Sequence, residues 1–346
     1  MEPIPFVDVR QGGPMAHVKA RIATAHALRD ACLAPVPYWG RGILTPIDYL
    51  AGNWLKKSAS LYREELESIA EYLGFPGAMT LNLSYLFACT TAANVDALGQ
   101  PRIRRSLDWP FHGLGKCVEV AWQSGPAGSF HNVTWPGSVG VLSAMAPGRF
   151  AAVINAAPMQ RRIDGFLGLP CDIALNIRNA LARSGDWPPD HLLRYVFENC
   201  ADFEEAIKVL SEEPLARSAL FTITGVNADQ IAVVERTETK ARVIRGPVTV
   251  ANDWQKPETG WKARMGHENN VARREAMSDI ENNQEPFSWA KPPVLNKLTR
   301  LTVEMSATDK GILHARGYES GSIFKMAVPA TLDFSLQHEK IETLAA

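Results

Sequence analysis

The chain changes its local character near residue 85, and this change limits the fold more than any other feature. Before it, apolar side chains at helical spacing predict helices over residues 15–34 and 46–73. After it, short β-prone stretches separated by Gly and Pro predict two blocks of strands, with helices over 171–184 and 191–211 between them. This order predicts an α+β fold in which helices cover two antiparallel sheets.

The predicted strands are short and regularly interrupted, as expected for antiparallel sheets. They are 101–109, 116–123, 138–145, 149–155, 219–226, 230–236, 241–246, 248–253, 300–308, 311–318 and 322–328. The polar stretch over 255–290 interrupts this pattern and predicts a surface loop with a helix.

Composition excludes several classes of function. The net charge of −1 over 346 residues gives no electrostatic reason to expect nucleic acid as a partner. The apolar runs stay short of the roughly 20 residues that span a bilayer. No GxGxxG or GxxxxGK motif follows a strand, so we expect no nucleotide cofactor.

Cysteine and histidine spacing argues against a metal site. The five cysteines contain no CxxC, and the eight histidines contain no HxxxH or HxH. An odd number of cysteines, with no basic and apolar leader at the N-terminus, predicts a reducing and therefore cytoplasmic location.

Cys89 lies in the stretch LFACTTAA (86–93), at the start of a predicted hairpin. If the turn centres between Leu98 and Gly99, Cys89 faces Asp108 on the second strand. A shift of about three residues would place it opposite Arg105 instead. Arg105 and Asp108 would point to opposite faces of a regular strand, so a bulge or a strand end is needed for both to reach Cys89.

A thiol beside a guanidinium and a carboxylate has the elements of an activated nucleophile. The positive charge of Arg105 would favour the thiolate. A free α-amino group, with a pKa of about 7.7–8.0, could act as the base. Cleavage of the Ala88–Cys89 bond would place nucleophile and base on one residue, with Asp108 accepting hydrogen bonds from the new amine.

Other interpretations of these residues are open at this point. A lone cysteine in an apolar run is typical of a buried structural thiol. Arg105 and Asp108 could form a simple cross-strand ion pair. A papain-like pair of Cys89 with His112 or His131 would leave Arg105 and Asp108 without a role.

Four further stretches resemble those of N-terminal-nucleophile cysteine hydrolases, in the branch of acid ceramidase and N-acylethanolamine-hydrolysing acid amidase. Cys89 is followed by Arg105 and Asp108 within RRSLDWPF, a spacing similar to the family's. MTLNLSYLFACTT resembles the segment that enters its self-cleavage site, and VANDWQKP resembles its TNYDxWK. ARREAM (272–277) resembles DRRTxA, and PPVLNKLTRLTVEMSATDKG (292–311) resembles its C-terminal strand region.

The resemblance implies a four-layer αββα sandwich and a precursor that cuts itself between Ala88 and Cys89. Residues 1–88 would form an N-terminal helical prosegment or α subunit, and residues 89–346 a catalytic β subunit. Asn252 would be the oxyanion-hole asparagine and Arg273 the second active-site arginine.

Three differences separate this chain from the family pattern. The family's TNYD is replaced by ANDW around Asn252, so a polar contact near the substrate differs. The longer spacing to Arg273 indicates an insertion within 255–271. Asn155 occupies a position at which bile salt hydrolases, more distant relatives, carry an asparagine, and we take it as an oxyanion or substrate residue.

The expected activity is hydrolysis of an N-acyl amide, such as an N-acylethanolamine or ceramide-like lipid amide. A penicillin V- or bile-salt-type acylase, or an acyltransferase, would use the same catalytic set. A ligand-binding module that keeps the fold without processing is an alternative of another class.

The expected partners are the small-molecule amide and, after cleavage, the two fragments themselves. The N-terminal helices either pack on the sheet or touch a membrane surface through Trp39, Leu50, Trp54 and Leu55.

Overall fold

A computed structural model of the chain describes residues 1–37, 41–42, 44–83, 88–161, 171–172, 175–176, 178–179, 182–278, 280, 285–309, 311–321 and 326–337. The helices are α1 (Gly13–Ala20), α2 (Ile22–Leu33), α3 (Leu44–Leu55), α4 (Arg63–Leu73), α5 (Ala78–Asn82), α6 (Pro189–Asn199), α7 (Phe203–Glu212) and α8 (His267–Ser278).

The strands, in chain order, are β1 (Phe6–Asp8), β2 (Ala88–Val95), β3 (Pro101–Asp108), β4 (Glu119–Gly125), β5 (Gly128–Thr134), β6 (Ser143–Ala146), β7 (Phe150–Ala156), β8 (Met159–Gln160), β9 (Ala219–Thr224), β10 (Ile231–Arg236), β11 (Ala241–Arg245), β12 (Val248–Val250), β13 (Trp261–Lys262), β14 (Thr299–Ser306), β15 (Ile312–Ser320), β16 (Ala327–Pro329) and β17 (Phe334–Gln337).

Most strands belong to two large sheets. Sheet I has the order β1-β4-β5-β6-β7-β9-β10-β11, and sheet II has the order β12-β2-β3-β14-β15-β16, with β17 also paired to β15. Within both sheets the pairs are antiparallel, apart from the parallel pair of β1 and β4.

The two faces of a strand are buried in different apolar cores, one between the sheets and one beneath the helices. In β7, Ala151 and Val153 join the apolar cluster between the sheets, whereas Ala152 and Ile154 join the cluster beneath the helices. This follows from the two-residue period of a strand. Residues of α1–α7 cover sheet I, and Met277 of α8 packs on the far face of sheet II. The predicted α+β fold with αββα layers is confirmed.

The predicted helix over 46–73 is two helices, because its middle is interrupted. Ser58 Oγ donates to the carbonyl of Leu55 at 2.8 Å and accepts from the N–H of Ser60 at 3.3 Å. Such local hydrogen bonds compete with helix propagation. Leu61, which helical spacing would place in the core, is 70% exposed. The helix predicted over 171–184 lies partly outside the described residues, and the described residues 171–172, 175–176, 178–179 and 182 are helical.

Two of the four side chains named for contact with a membrane surface lie inside the protein. Trp54 and Leu55 are buried in the cluster between the helices and sheet I. Leu50 is exposed, and Trp39 lies outside the described residues. These helices therefore pack on the sheet, the alternative that the sequence left open.

The β2–β3 hairpin differs from the predicted register by one residue. Cys89 pairs with Leu107, and Asp108 pairs with Ala88. The five-residue loop between the strands sets this register, because Asp96 Oδ1 accepts from the N–H groups of Leu98 (2.9 Å) and Gln100 (3.0 Å). Side-chain closure of this kind fixes a turn locally.

A buried ion network joins the N-terminal helices to α6. Arg194 Nε donates to Glu198 Oε1 at 2.7 Å, and the same guanidinium also pairs with Glu65 of α4. The guanidinium stacks 3.9 Å from the ring centroid of Tyr62, whose hydroxyl donates to Glu198 at 2.7 Å. Residues on both sides of the Ala88–Cys89 bond are thus held together by charge as well as by apolar packing.

Arg194→Leu should destabilise the protein by about 1–3 kcal/mol, since it leaves the partly buried carboxylates of Glu65 and Glu198 without their cation. Urea unfolding followed by tryptophan fluorescence measures this change. The control is Arg63→Leu, because the side chain of Arg63 is 38% exposed and its ion pairs are worth about 0–1 kcal/mol. Equal midpoints for the two variants would contradict the assigned role of the network.

Candidate active site

The Cys89 thiol is buried between the two sheets at the start of β2. The Cys89 residue is 0% exposed, and its Sγ lies 3.8 Å from the carbonyl oxygen of Ile154 in β7. Arg105 Nη2 donates to Sγ at 3.0 Å and to the Ile154 carbonyl at 2.9 Å. Burial raises the pKa of the Cys89 thiol, and the positive charge of Arg105 opposes this shift. Arg105 is therefore placed to stabilise a thiolate when it forms.

Arg105 reaches the thiol because it lies on the inner face of β3. Its Nη1 donates to Ser143 Oγ at the start of β6, so the guanidinium bridges sheet II and sheet I. The residue is fully buried. Ser143 fixes the orientation of Arg105, and nothing in the sequence near Cys89 indicates this partner.

Asp108 lies on the opposite face of β3. Its Oδ1 accepts from Thr299 Oγ1 at 2.8 Å, and its Oδ2 accepts from Asn296 Nδ2 at 2.8 Å. Burial raises the pKa of Asp108, whereas Arg273 and these two hydrogen bonds lower it. β14 shifts its register here, since Asp108 faces Thr299 and Leu107 faces Leu301. The bulge therefore lies in β14, whereas β3 pairs regularly with β2 and keeps Arg105 and Asp108 on opposite faces, so the expected irregularity in β3 is absent.

Arg273 of α8 contacts the backbone of the nucleophile. Its Nη1 donates to the carbonyl of Cys89 at 2.7 Å and to Thr90 Oγ1 at 2.9 Å. The same nitrogen lies 4.0 Å from Asp108 Oδ2. Burial lowers the pKa of Arg273, and Asp108 opposes this change. Arg273, paired with Asp108, thus contacts the backbone of Cys89 on the outer side of sheet II. Arg105 contacts the thiol on the inner side, between the two sheets.

Two asparagines on α8 orient Arg273. Asn269 Oδ1 accepts from its Nε at 2.8 Å, and Asn270 Oδ1 accepts from its Nη2 at 3.0 Å. Residues three and four positions apart share one face of a helix, so these contacts follow from helical geometry. Asn270 also accepts from the N–H of Asn252 at 2.7 Å, which ties α8 to that segment.

Asn252 lies beside the nitrogen of Cys89. Its Oδ1 accepts from the Cys89 N–H at 3.0 Å and from Arg273 Nη2 at 3.2 Å. Its Nδ2 donates to the carbonyl of Ala156 at 2.8 Å. The structure thus brings Asn252 to the Ala88–Cys89 peptide bond, and its predicted contact with an oxyanion stays a prediction.

Asn155 is buried in the scaffold next to this segment. Its Oδ1 accepts from Thr91 Oγ1 at 2.9 Å, and its Nδ2 donates to the carbonyls of Ala251 (3.1 Å) and Val250 (3.4 Å). These bonds position the chain that carries Asn252. The role of Asn155 as an oxyanion or substrate residue stays a prediction.

The two histidines considered for a papain-like pair lie elsewhere. His131 packs against Phe6 and Trp122 on sheet I. His112 is half exposed, with Nδ1 3.7 Å from Glu319 Oε2. Within the described ranges, no three or more His, Cys, Asp or Glu side chains are grouped to hold a metal ion, and no helix has the length and apolar character to cross a bilayer.

Several residues around Cys89 were not predicted as members of the site. They are Thr90, Ser143, Asn270, Asn296 and Thr299. Thr90 directly follows Cys89 and Asn270 lies three residues before Arg273, whereas Ser143, Asn296 and Thr299 reach the site from elements far away in sequence.

An apolar pocket lies beside the site. It encloses about 80 Å³ and is lined by residues from before and after Cys89, among them Leu28, Leu81, Trp109, Trp135 and Leu142. The carbonyl of Leu142 accepts from the N–H of Ile154 at 3.1 Å, and Trp109 directly follows Asp108. Trp109 and Leu142 therefore connect the wall of the pocket to residues that lie near the thiol.

A family model described as acyl-coenzyme A:6-aminopenicillanic acid acyl-transferase matches residues 174–291. The matched segment includes Asn252 and Arg273 and does not include Cys89, Arg105 or Asp108.

Two curated proteins of Caenorhabditis elegans are similar in sequence. A probable acid ceramidase is 27% identical over 228 residues, which is 66% of this chain and 49% of the relative. An N-acylethanolamine-hydrolyzing acid amidase is 23% identical over 266 residues, which is 70% of this chain and 72% of the relative. The matched part of the chain thus spans about half the length of the first relative.

A solved structure shares the fold. It is the Caenorhabditis elegans N-acylethanolamine-hydrolyzing acid amidase ortholog, with a TM-score of 0.50 and 18% identity over 63% of this chain and 93% of that chain. Together these matches confirm the resemblance that the motifs indicate.

Arg105→Met should slow self-cleavage at neutral pH and move its pH midpoint up by about 1–3 units, because the cation that favours the thiolate is lost. The rate is measured by intact mass as the 1–88 and 89–346 fragments appear. Arg104→Met is the matched control, since Arg104 Nη1 bonds Asn94 Oδ1 at 2.7 Å on the opposite face of the same strand. A wild-type pH profile for Arg105→Met would refute the role of Arg105.

Proposed function

We propose that this chain, which is similar to N-terminal-nucleophile cysteine hydrolases of the acid ceramidase and N-acylethanolamine-hydrolysing acid amidase branch, is a self-processing amidohydrolase. Its substrate is an N-acyl amide with an apolar acyl chain, such as an N-acylethanolamine or ceramide-like lipid amide. The observation that carries this proposal is the pair of arginine contacts on one residue, Arg105 on the thiol (3.0 Å) and Arg273 on the carbonyl (2.7 Å) of Cys89.

Self-cleavage begins with attack of Cys89 Sγ on the carbonyl carbon of Ala88. The C–N bond breaks, the nitrogen of Cys89 gains the proton and becomes a free amine, and Ala88 becomes a thioester on sulfur. Water then hydrolyses the thioester, which releases the Ala88 carboxylate and restores the thiol. Asn252 Oδ1 accepts from the Cys89 N–H at 3.0 Å, which holds this nitrogen in place during the step.

Turnover of substrate repeats the same chemistry on a different amide. The α-amino group of Cys89 takes the thiol proton, since its pKa of about 7.7–8.0 suits a base near neutral pH. The thiolate, stabilised by Arg105, attacks the acyl carbon, and the leaving amine receives that proton. Water hydrolyses the acyl thioester to the free acid and regenerates Cys89.

The apolar pocket supports an apolar acyl group. Its walls are mostly aliphatic and aromatic, with Arg29, Asn82, Ser138 and Asp190 as polar members, and two of its residues adjoin the surroundings of Cys89 and Arg105. Burial of each CH₂ group contributes about 0.8 kcal/mol, so a chain of several carbons would be bound substantially more tightly than an acetyl group.

Acyl transfer to an amine is a second candidate, favoured by the name of the family model that matches residues 174–291. The acyl thioester would be identical, and an amine rather than water would accept the acyl group. Product analysis with and without added amine separates the two reactions, because only transfer yields a new amide.

Four further interpretations of the sequence stay predictions. They are the division into fragments 1–88 and 89–346, contact of the N-terminal helices with a membrane surface, the cytoplasmic location and the unprocessed ligand-binding alternative.

Cys89→Ala should abolish both self-cleavage and turnover, because the Cys89 thiol is the attacking group in both reactions. Intact mass reports cleavage at the Ala88–Cys89 bond, and a panel of acyl amides reports turnover. Cys200→Ala is the control, since Cys200 is buried under sheet I, where burial raises the pKa of its thiol to about 12. Fragments or turnover from Cys89→Ala would refute the mechanism.

Leu28→Trp should narrow the apolar pocket and lower kcat/KM for a long-chain amide by at least about tenfold, with little effect on an acetyl amide. Steady-state kinetics on two substrates with the same leaving amine tests this. Leu98→Trp, on the hairpin loop where Leu98 is 78% exposed, is the control. An equal loss on both substrates would contradict the assignment of the pocket to the acyl chain.

A further inference from the structure

We propose that Asn296 and Thr299 are positioning residues that hold Asp108 as a charged carboxylate. We call these two side chains the Asp108 clamp. Charged Asp108 in turn holds Arg273, whose Nη1 donates to the carbonyl of Cys89 at 2.7 Å. The effect of the clamp on turnover rests on the proposed amidohydrolase function, whereas its effect on the charge of Asp108 does not.

The Asp108 clamp belongs to one tight turn at the start of β14. The N–H of Thr299 donates to the carbonyl of Asn296 at 3.1 Å, and the N–H of Leu298 donates to Asn296 Oδ1 at 2.9 Å. An asparagine that closes its own turn in this way has a fixed side-chain orientation. Its other polar atom, Asn296 Nδ2, donates to Asp108 Oδ2 at 2.8 Å.

The hydroxyl of Thr299 is oriented by a second hydrogen bond. Its Oγ1 accepts from the N–H of Asn296 at 3.0 Å and donates to Asp108 Oδ1 at 2.8 Å. A hydroxyl carries one hydrogen, so this hydrogen is committed to Asp108. Both oxygens of Asp108 therefore face a donor, and a proton on either oxygen would meet a donor instead of an acceptor. The clamp thus favours the carboxylate over the protonated acid.

Asp108 depends on such support because it is removed from water. It is 1% exposed, and burial raises the pKa of its carboxyl, whereas the two hydrogen bonds of the clamp lower it. Three cations also favour the charged form: Arg273 of α8, 4.0 Å from Oδ2, Arg105 of β3 and Arg300 of β14. The thiol of Cys89 in β2 is the group that repels Asp108 when it ionises.

A change in the charge of Asp108 reaches Cys89 through Arg273. Arg273 is fully buried, and its Nη1 is 4.0 Å from Asp108 Oδ2 and 2.7 Å from the carbonyl oxygen of Cys89. A buried guanidinium requires a compensating charge, so neutral Asp108 weakens the hold of Arg273 on this carbonyl. We therefore expect turnover to fall as the pH drops through the pKa of Asp108.

Thr299→Val tests the clamp, because it removes one donor and keeps the shape of the side chain. Loss of a donor to the carboxylate raises the pKa of Asp108, so the acidic midpoint of the kcat/KM profile should move up by about 1–2 pH units. Well above this midpoint Asp108 is ionised in both proteins, and their kcat/KM values should converge. Thr299→Ser keeps the hydroxyl and should restore the wild-type midpoint.

Thr302→Val is the matched control, since it makes the same substitution on the same face of β14. Thr302 is 0% exposed and faces Ser106, and its Oγ1 has no hydrogen-bond partner in the part of the chain that the structure describes. Its acidic midpoint should equal that of wild type. Asn296→Ala removes the other donor and should move the midpoint in the same direction as Thr299→Val. A loss of kcat/KM by the same factor at every pH in both clamp variants overturns the proposal.

A measurement without substrate separates the clamp from the proposed function. Urea unfolding of wild type and Thr299→Val is followed over the same pH range. Because the folded variant keeps the proton on Asp108 to a higher pH, the gap between the two unfolding midpoints should widen as the pH rises through the pKa of Asp108. A gap that is constant with pH overturns the proposal. Absence of turnover of every amide by self-cleaved wild type refutes the proposed function instead, and the unfolding test of the clamp still holds.

Discussion

The buried guanidinium of Arg273 is the interaction on which the site depends. It joins the carbonyl of Cys89, the hydroxyl of Thr90 and the side chains of Asn252 and Asn270, all without contact with solvent. A buried cation with a missing partner costs roughly 3–5 kcal/mol, so every one of these groups is constrained by the others. The backbone of Cys89 is held in one place because the alternative positions leave this charge unsatisfied.

Different parts of Cys89 are contacted from the two faces of sheet II. The inner face, between the sheets, carries Arg105 and controls the charge state of sulfur. On the outer face, Asp108 pairs with Arg273 of α8, and Arg273 holds the backbone carbonyl of Cys89. Because alternate residues of a strand point to opposite faces, a residue at the start of β2 can be addressed from both. Arg105 and Asp108 are three residues apart, which is an odd spacing. They therefore lie on opposite faces of β3, as this arrangement requires.

The periodic parts of the molecule could be predicted from the sequence, and the parts set by distant contacts could not. Strands such as β7 follow from β-prone stretches bounded by Gly and Pro, and Arg105, Asp108, Asn252 and Arg273 do meet around Cys89. The hairpin register was missed by one residue, because closure by the Asp96 side chain sets it. Partners such as Asn296 and Ser143 lie on remote elements, so no spacing near Cys89 could indicate them.

The apolar pocket is lined by two stretches of the chain, and only one of them also contacts Cys89. Leu28 and Leu81 lie in the first 88 residues, which contribute no side chain to the contacts of Cys89 described above, whereas Trp109, Trp135 and Leu142 lie in the stretch that carries those contacts. Under the proposed function, part of the acyl selectivity would therefore be encoded outside the stretch that holds the reactive thiol. Substitutions at Leu28 or Leu81 would then change which acyl chains are accepted without touching any residue that contacts Cys89.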